Sequence, residues 1–248
     1  MLLEYPADFH VHTCLSPCAS DDMTPINILN MAKLMGTKVL GICDHNSAGN
    51  IKAILEIAQD FDILVIPGIE VQSVEEVHLL CLFEKENQVL EFQDYVYSAL
   101  PPISNNPRYF GYQWLVDGKG NILGEENRML LASTFLTVDE ISQKVHELKG
   151  LLIPAHVDRR HFSIIGQLGF IPENLKIDAV EFSRATTKAE LKATFDKINN
   201  HTLITSSDAH CLQDMVYQKT FLLLKSLNFK EVTMALRGVE GRRVLIRD

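Results

Sequence analysis

The stretch Lys38-Val39-Leu40-Gly41-Ile42-Cys43-Asp44-His45 (KVLGICDH) decides the fold class of this chain. A short, nearly unbroken apolar run reads as a strand buried on both faces, as in a sheet covered by helices. This run ends on an acid and a histidine. Upstream, Thr24 offers an N-cap and Pro25 fits a first helical position. Ile28, Leu29, Ala32 and Met35 then recur at helical spacing up to Gly36. Ala7 to Val11 reads as a first strand. Downstream, helices are predicted over Asn50–Gln59, Val89–Tyr97, Thr137 to about Gly150, Lys188–Ile198 and Lys230–Leu236. Strands are predicted over Ile63–Ile66, Glu76–Phe83, Leu151–Ala155, Ala179–Phe182, Leu203–Ser206, Thr220–Leu224 and Arg243–Ile246. Repeated βα units of this kind predict an α/β fold with a largely parallel sheet, either a barrel or a doubly wound sheet.

One segment interrupts the rhythm. Residues 101–133 begin with Pro101-Pro102, and later set Gln113–Val116 and Asn121–Leu123 around Asp117-Gly118-Lys119-Gly120. That pattern predicts a β-hairpin with a glycine-bearing turn, carried by an insertion on the rim of a single domain spanning residues 1–248. A lid, a dimer contact and a plain exposed excursion are all open for it.

With 248 residues, 46% of them apolar, the chain is long enough for one large core. Its formal charge of −9 argues against extended nucleic-acid binding and against an anionic membrane surface. It leaves room for a small phosphorylated substrate or a nucleotide, because bound cations reverse the local field. Residues Met1 to Pro6 show no basic segment followed by an apolar one, and no apolar run approaches the ~18–20 residues that span a bilayer. A cytoplasmic protein is expected, with oligomerisation left open. The five cysteines, Cys14, Cys18, Cys43, Cys81 and Cys211, fit reduced thiols better than a disulfide framework.

The polar residues at the strand ends carry the chemistry. His10 and His12 close the first strand, two residues apart and so on one face. His45 follows KVLGIC, Glu70 follows LVIPG (with Gly68 read as a tight exit), and His78 sits in EVHLLCLF. His156 follows LLIPA, and Asp208 and His210 follow LITSS. Parallel α/β barrels collect active-site residues at the C-terminal ends of several strands. Imidazoles combined with carboxylates suit Zn²⁺, Mn²⁺ or Fe²⁺. Asp44 and Asp8 are placed to orient imidazoles through their N–H groups. Arg159 and Arg160, just beyond His156, and Arg184, just beyond AVEFS, are candidate phosphate ligands.

Taken in order, HVH (10–12), ICDHNS (42–47), PGIEV (67–71), EVHLLCLF (76–83), IPAH (153–156) and SSDAH (206–210) resemble the motif series of the PHP family, named from polymerase and histidinol-phosphatase members. The resemblance runs from about Asp8 to His210. It implies a distorted seven-stranded (β/α) barrel with two or three divalent cations that hydrolyses a phosphate mono- or diester through a metal-bound hydroxide. It implies that His10, His12, Glu70 and Asp208 hold one ion. Glu70 then bridges to a second ion completed by His78 and His156, and His45 and His210 hold a third. Glu70, Asp208 and Asp44 are the candidate catalytic acids. One position departs from the family pattern: six residues beyond the HVH pair, where many members carry His or Asp, this chain has Cys18. A thiolate binds Zn²⁺ or Fe²⁺, so Cys18 is a candidate third-ion ligand, with Asp21 or Asp22 as substitutes. Two other readings stay open, a metal-dependent amidohydrolase and a non-catalytic metal-binding regulatory domain. The first usually carries a bridging lysine at a strand end, and no lysine stands at such a position here.

Overall fold

The structure, a computed structural model, describes residues 1–187, 189–191, 198, 201–216 and 219–247. The helix expected over Lys188–Ile198 lies largely outside the described residues. The chain opens with β1 (Leu3–Val11), α1 (Pro25–Met35), β2 (Val39–His45), α2 (Ile51–Ala58), β3 (Leu64–Gln72), β4 (His78–Leu82) and α3 (Glu86–Ser98). The inserted segment holds α4 (Pro107–Phe110), β5 (Trp114–Val116) and β6 (Ile122–Glu125). Next come α5 (Val138–Glu147), β7 (Leu151–Pro154), α6 (Ile164–Leu168), β8 (Val180–Phe182) and β9 (Leu203–Thr205). A 3₁₀ turn (Leu212–Val216), β10 (Thr220–Leu224), α7 (Phe229–Leu236) and β11 (Arg243–Ile246) complete the order.

Local chemistry accounts for the helix ends. Gly36 ends α1 at a left-handed φ of +75°, its N–H reaching the carbonyls of Ala32 and Lys33. Thr137 and Glu140 close a reciprocal capping box at the start of α5.

The expectation of a largely parallel sheet is corrected. Seven strands form one sheet in the order β11-β10-β1-β2-β3-β4-β7, in which only β1–β2 and β2–β3 pair in parallel. β4 runs against both of its neighbours because the five residues between β3 and β4 (73–77) are too few for a helical crossover. The short parallel pair β8–β9 and its flanking residues join this sheet through Val157 N–H to Glu181 O and Asp178 N–H to Leu152 O on one side and the Val11–Ala209 bridge on the other.

β1 changes face partway along. Ala7 pairs with Val39 but Val11 with Ile42, so β1 carries one extra residue between them. Ala7 and Phe9 therefore pack with Val39, Cys43 and Ile66 in the interior cluster, while Val11 packs with Leu40 and Ile42 against the helices. That bulge turns His10 and His12 to the same side as His45, Glu70 and His78. Gly68 lies within β3 and does not form an exit turn. A Cβ there would stand 2.9 Å from Cys81 O and 2.7 Å from the Leu82 side chain, so glycine permits close strand approach.

The inserted segment is pinned to the sheet by buried amides. Asn46 donates to the carbonyls of Leu130 and Ala132, and Asn50 donates to Trp114 O while accepting from Val116 N–H. Gln113 donates to Glu126 O and Arg128 O and accepts from Leu130 N–H. The expected hairpin is β5–β6, with Gly120 at φ +87° in its turn.

Candidate metal centre

Eight of the nominated donors converge at one end of the sheet. His10 Nε2 lies 3.1 Å from His12 Nε2, and each is 3.4 Å from Asp208 Oδ1. Glu70 sits among five imidazoles. Its Oε1 is 2.9 Å from His78 Nδ1, 3.3 Å from His10 Nε2 and 3.4 Å from His156 Nε2, and its Oε2 is 2.9 Å from His45 Nδ1 and 3.4 Å from His12 Nε2. Three donor sets, His10/His12/Asp208, His45/Glu70/His78 and His12/His45/His210, each fall within 4.8 Å.

These spacings fit divalent ions. Bonds of about 2.0–2.1 Å in a tetrahedron place neighbouring donors about 3.3 Å apart. The distances among His10 Nε2, His12 Nε2 and Asp208 Oδ1 run from 3.1 to 3.4 Å, and Glu70 lies 3.3 Å from the first through Oε1 and 3.4 Å from the second through Oε2. Glu70 Oε2 and His156 Nδ1 are buried without a hydrogen-bond partner, although polar atoms crowd around the carboxylate. Buried polar atoms without partners are costly, and a cation supplies the missing interaction to a carboxylate.

The electrostatics point the same way. Burial would raise the Glu70 carboxyl, but the charges of His78, His10 and His45 hold it well below the ordinary carboxylate value. Burial acts likewise on Asp208, and His10 foremost keeps it low. Burial and the charge of His210 push His12 well down, towards a neutral ring with a free lone pair. Against burial, Glu181, Glu70 and Asp208 raise His10 well above its usual value, so the site draws positive charge to this point.

The supporting contacts differ in part from the sequence reading. Asp44 touches no imidazole; its Oδ1 accepts from Ser16 Oγ at 2.7 Å, and Ser16 Oγ lies 2.9 Å from His12 Nδ1. Asp44 thus orients His12 at one remove. Asp8 accepts from Ser207 N–H at 3.0 Å and from His10 N–H, and holds backbone, not a ring. Arg184 is not among the residues that line the cavity at this centre; it binds Asp214 at 2.8 Å, because the 3₁₀ turn brings that acid to it. Arg159 pairs with Asp208 Oδ2 at 2.7 Å. With Arg160, His161 and Phe162 it lines a cavity of about 420 Å³ whose floor includes His45, Glu70, His78, His156, Asp208 and His210. Cys18 is exposed as a residue. Burial of its thiol would raise its pKa, but the neighbouring His210 and His45 bring it down to about 6.

Glu181 escaped the sequence reading. It is 2% exposed, and its Oε2 lies 3.0 Å from His10 Nδ1 and accepts from His156 N–H. A carboxylate behind an imidazole fixes the ring's tautomer and direction. A lone acid in the apolar strand AVEF was the available signal. Gln72, whose Oε1 is 3.2 Å from His78 Nε2, plays a similar part.

No family model matches the chain. The uncharacterized protein YqxK of Bacillus subtilis (strain 168) is 29% identical over 110 residues, covering 42% of this chain. The lesion-specific endonuclease PfuEndoQ from Pyrococcus furiosus superposes over 98% of this chain with a TM-score of 0.76 and 24% identity. An Endonuclease Q complex with a 27-mer duplex, carrying an abasic lesion at the active site, superposes over 98% with a TM-score of 0.73 and 23% identity. A metal-dependent phosphoesterase from Bifidobacterium adolescentis superposes over 95% of this chain and 96% of its own (TM-score 0.58, 15% identity). The fold is PHP-like. An amidohydrolase from Chromobacterium violaceum also superposes, over 97% of this chain and 98% of its own (TM-score 0.59, 15% identity). The chain spans 28% of YqxK and 58% of the Endonuclease Q chains.

The PHP-like neighbours correct one expectation, that of a small phosphorylated substrate without extended nucleic-acid binding. Endonuclease Q shares this fold and takes duplex DNA at its active site. Net charge is a sum over the whole surface and does not describe the local field, which at this cavity includes Arg159 and Arg160. Among the described residues no helix is long and apolar enough to cross a membrane.

Proposed function

We propose that this chain is a metal-dependent phosphodiesterase that cuts a nucleic-acid strand. The observation that carries the reading is one cavity with metal-spaced donors on its floor and two arginines on its wall. In this reading His10, His12, Asp208 and Glu70 would hold one divalent ion, and Glu70, with His78 and His156, would help to hold a second. His45 and His210 hold a third. Bound ions of this kind activate water and neutralise charge on the phosphate during in-line displacement. Glu181 and the Ser16–Asp44 pair keep His10 and His12 aimed at the centre. Arg160 takes a phosphate oxygen, and Arg159 shares its fork between Asp208 and the substrate. The amidohydrolase alternative draws no support from the cavity, where no lysine stands among the described lining residues.

The test is incision of end-labelled single-stranded and duplex oligonucleotides, with and without an abasic site, by protein loaded with Mn²⁺ or Zn²⁺. Strand cleavage that chelator abolishes is expected. Loaded protein that leaves every strand intact, or hydrolyses only amides, overturns the reading.

Cys18 is the third ion's further ligand in this proposal, since the neighbouring His45 and His210 favour its thiolate, the form that binds Zn²⁺ or Fe²⁺. Elemental analysis of Cys18→Ser protein should find one ion fewer per chain with the other two retained. Full occupancy of all three would remove Cys18 from the ligand set.

A further inference from the structure

We infer that Phe162 is the stacking surface for a nucleobase beside the metal centre, an inference that rests on the strand-cleaving reading above. Phe162 lines the cavity and is 42% exposed as a residue. It lies nearly parallel to the His78 imidazole, with ring centroids 4.9 Å apart and planes 23° apart. An exposed large aromatic on a cavity wall, three residues from Arg159 and two from Arg160, puts a flat apolar surface next to two phosphate-binding forks. A nucleotide has that composition: a phosphate with a flat π-face a few ångströms away.

The backbone holds this arrangement at a cost. Phe162 has φ +58°, a left-handed conformation that bulky L-residues rarely adopt. Its carbonyl accepts the His78 N–H at 2.9 Å, which ties the ring's own segment to the start of β4. Buried Ser163 accepts from Gly166 N–H and donates to Arg159 O, folding the arginine segment onto the first turn of α6. A Cβ on Gly166 would stand 2.5 Å from Arg160 O and 3.0 Å from Arg159 O, so only glycine admits this packing. Strain retained beside a site marks a functional geometry held by its surroundings. A ring needed only to cover His78 would be expected to be buried against it, whereas Phe162 stays 42% exposed and lines the cavity.

Binding of the metal-loaded protein to a fluorescent oligothymidylate, and to an equally long strand of abasic residues, tests the inference apart from turnover. Wild-type protein is expected to prefer the base-bearing strand by about 10- to 100-fold, the range set by one base–aromatic stack. Phe162→Ala should lose that preference while keeping its metal content and its affinity for the abasic strand, and Phe162→Trp should restore it. Equal affinity of wild-type protein for both strands overturns the inference. So does an equal loss on both strands in Phe162→Ala, or a loss of metal in that variant, because either makes the ring a support for His78 alone. Preference through Phe162 without cleavage of any strand sustains this inference and overturns the phosphodiesterase reading.

Discussion

Glu70→Gln protein should cleave phosphodiester strands about 10³-fold more slowly than the wild type and carry less metal after purification. The carboxylate lies within 3.4 Å of five imidazole nitrogens, from His10, His12, His45, His78 and His156. No other side chain at the centre touches so many. Glutamine keeps the shape but removes the charge, and its amide nitrogen would confront histidine donors or a cation. The loss should therefore fall on more than one ion. Turnover on a labelled strand and metal analysis of the same preparation read the two effects together. Unchanged metal stoichiometry would refute the shared role, whatever happens to the rate.

Gly41→Ala should lower unfolding stability by about 3 kcal/mol, at the upper end for overpacking a filled interior. Its Cβ would stand 2.4 Å from Phe9 O and 2.8 Å from Phe9 C. Both are backbone atoms, so no rotamer change relieves the clash. β1 is hydrogen-bonded to β10 on its other edge, so it has little room to retreat. The strand that must move carries His10 and His12, so weakened metal binding should accompany the lost stability. Urea unfolding monitored by circular dichroism measures the first effect, with a lower midpoint and an unchanged slope. A variant as stable as the wild type would mean that the β1–β2 approach is looser than these distances indicate.

Much of the centre was legible before any coordinates. HVH, the ends of KVLGIC and LVIPG, EVHLLCLF, LLIPA and LITSS each supply a candidate donor, and those side chains come together at one end of the sheet. This worked because strand ends are marked by where an apolar run stops, and a ligand just past that point has few directions available. Arg184 misled for the same reason: its place after AVEFS looked equivalent, but its partner Asp214 lies thirty residues away in sequence. Asp8 misled because the bulge in β1 breaks strict alternation after it. Glu181 went unread because a single buried acid has no meaning until the ring it faces is known.

The sequence by itself determined which residues form strands and which polar groups stand at their ends, since apolar periodicity and its interruptions are local properties. It determined the hairpin of the inserted segment from its glycine turn. The tertiary structure alone decided three things: that β4 reverses direction, that one extra residue in β1 turns His10 and His12 towards Glu70, and that Phe162 lies against His78 while staying partly exposed at the cavity. Each depends on the relative placement of segments far apart in the chain, which is settled by packing and hydrogen-bond pairing and leaves no periodic mark in the residues themselves.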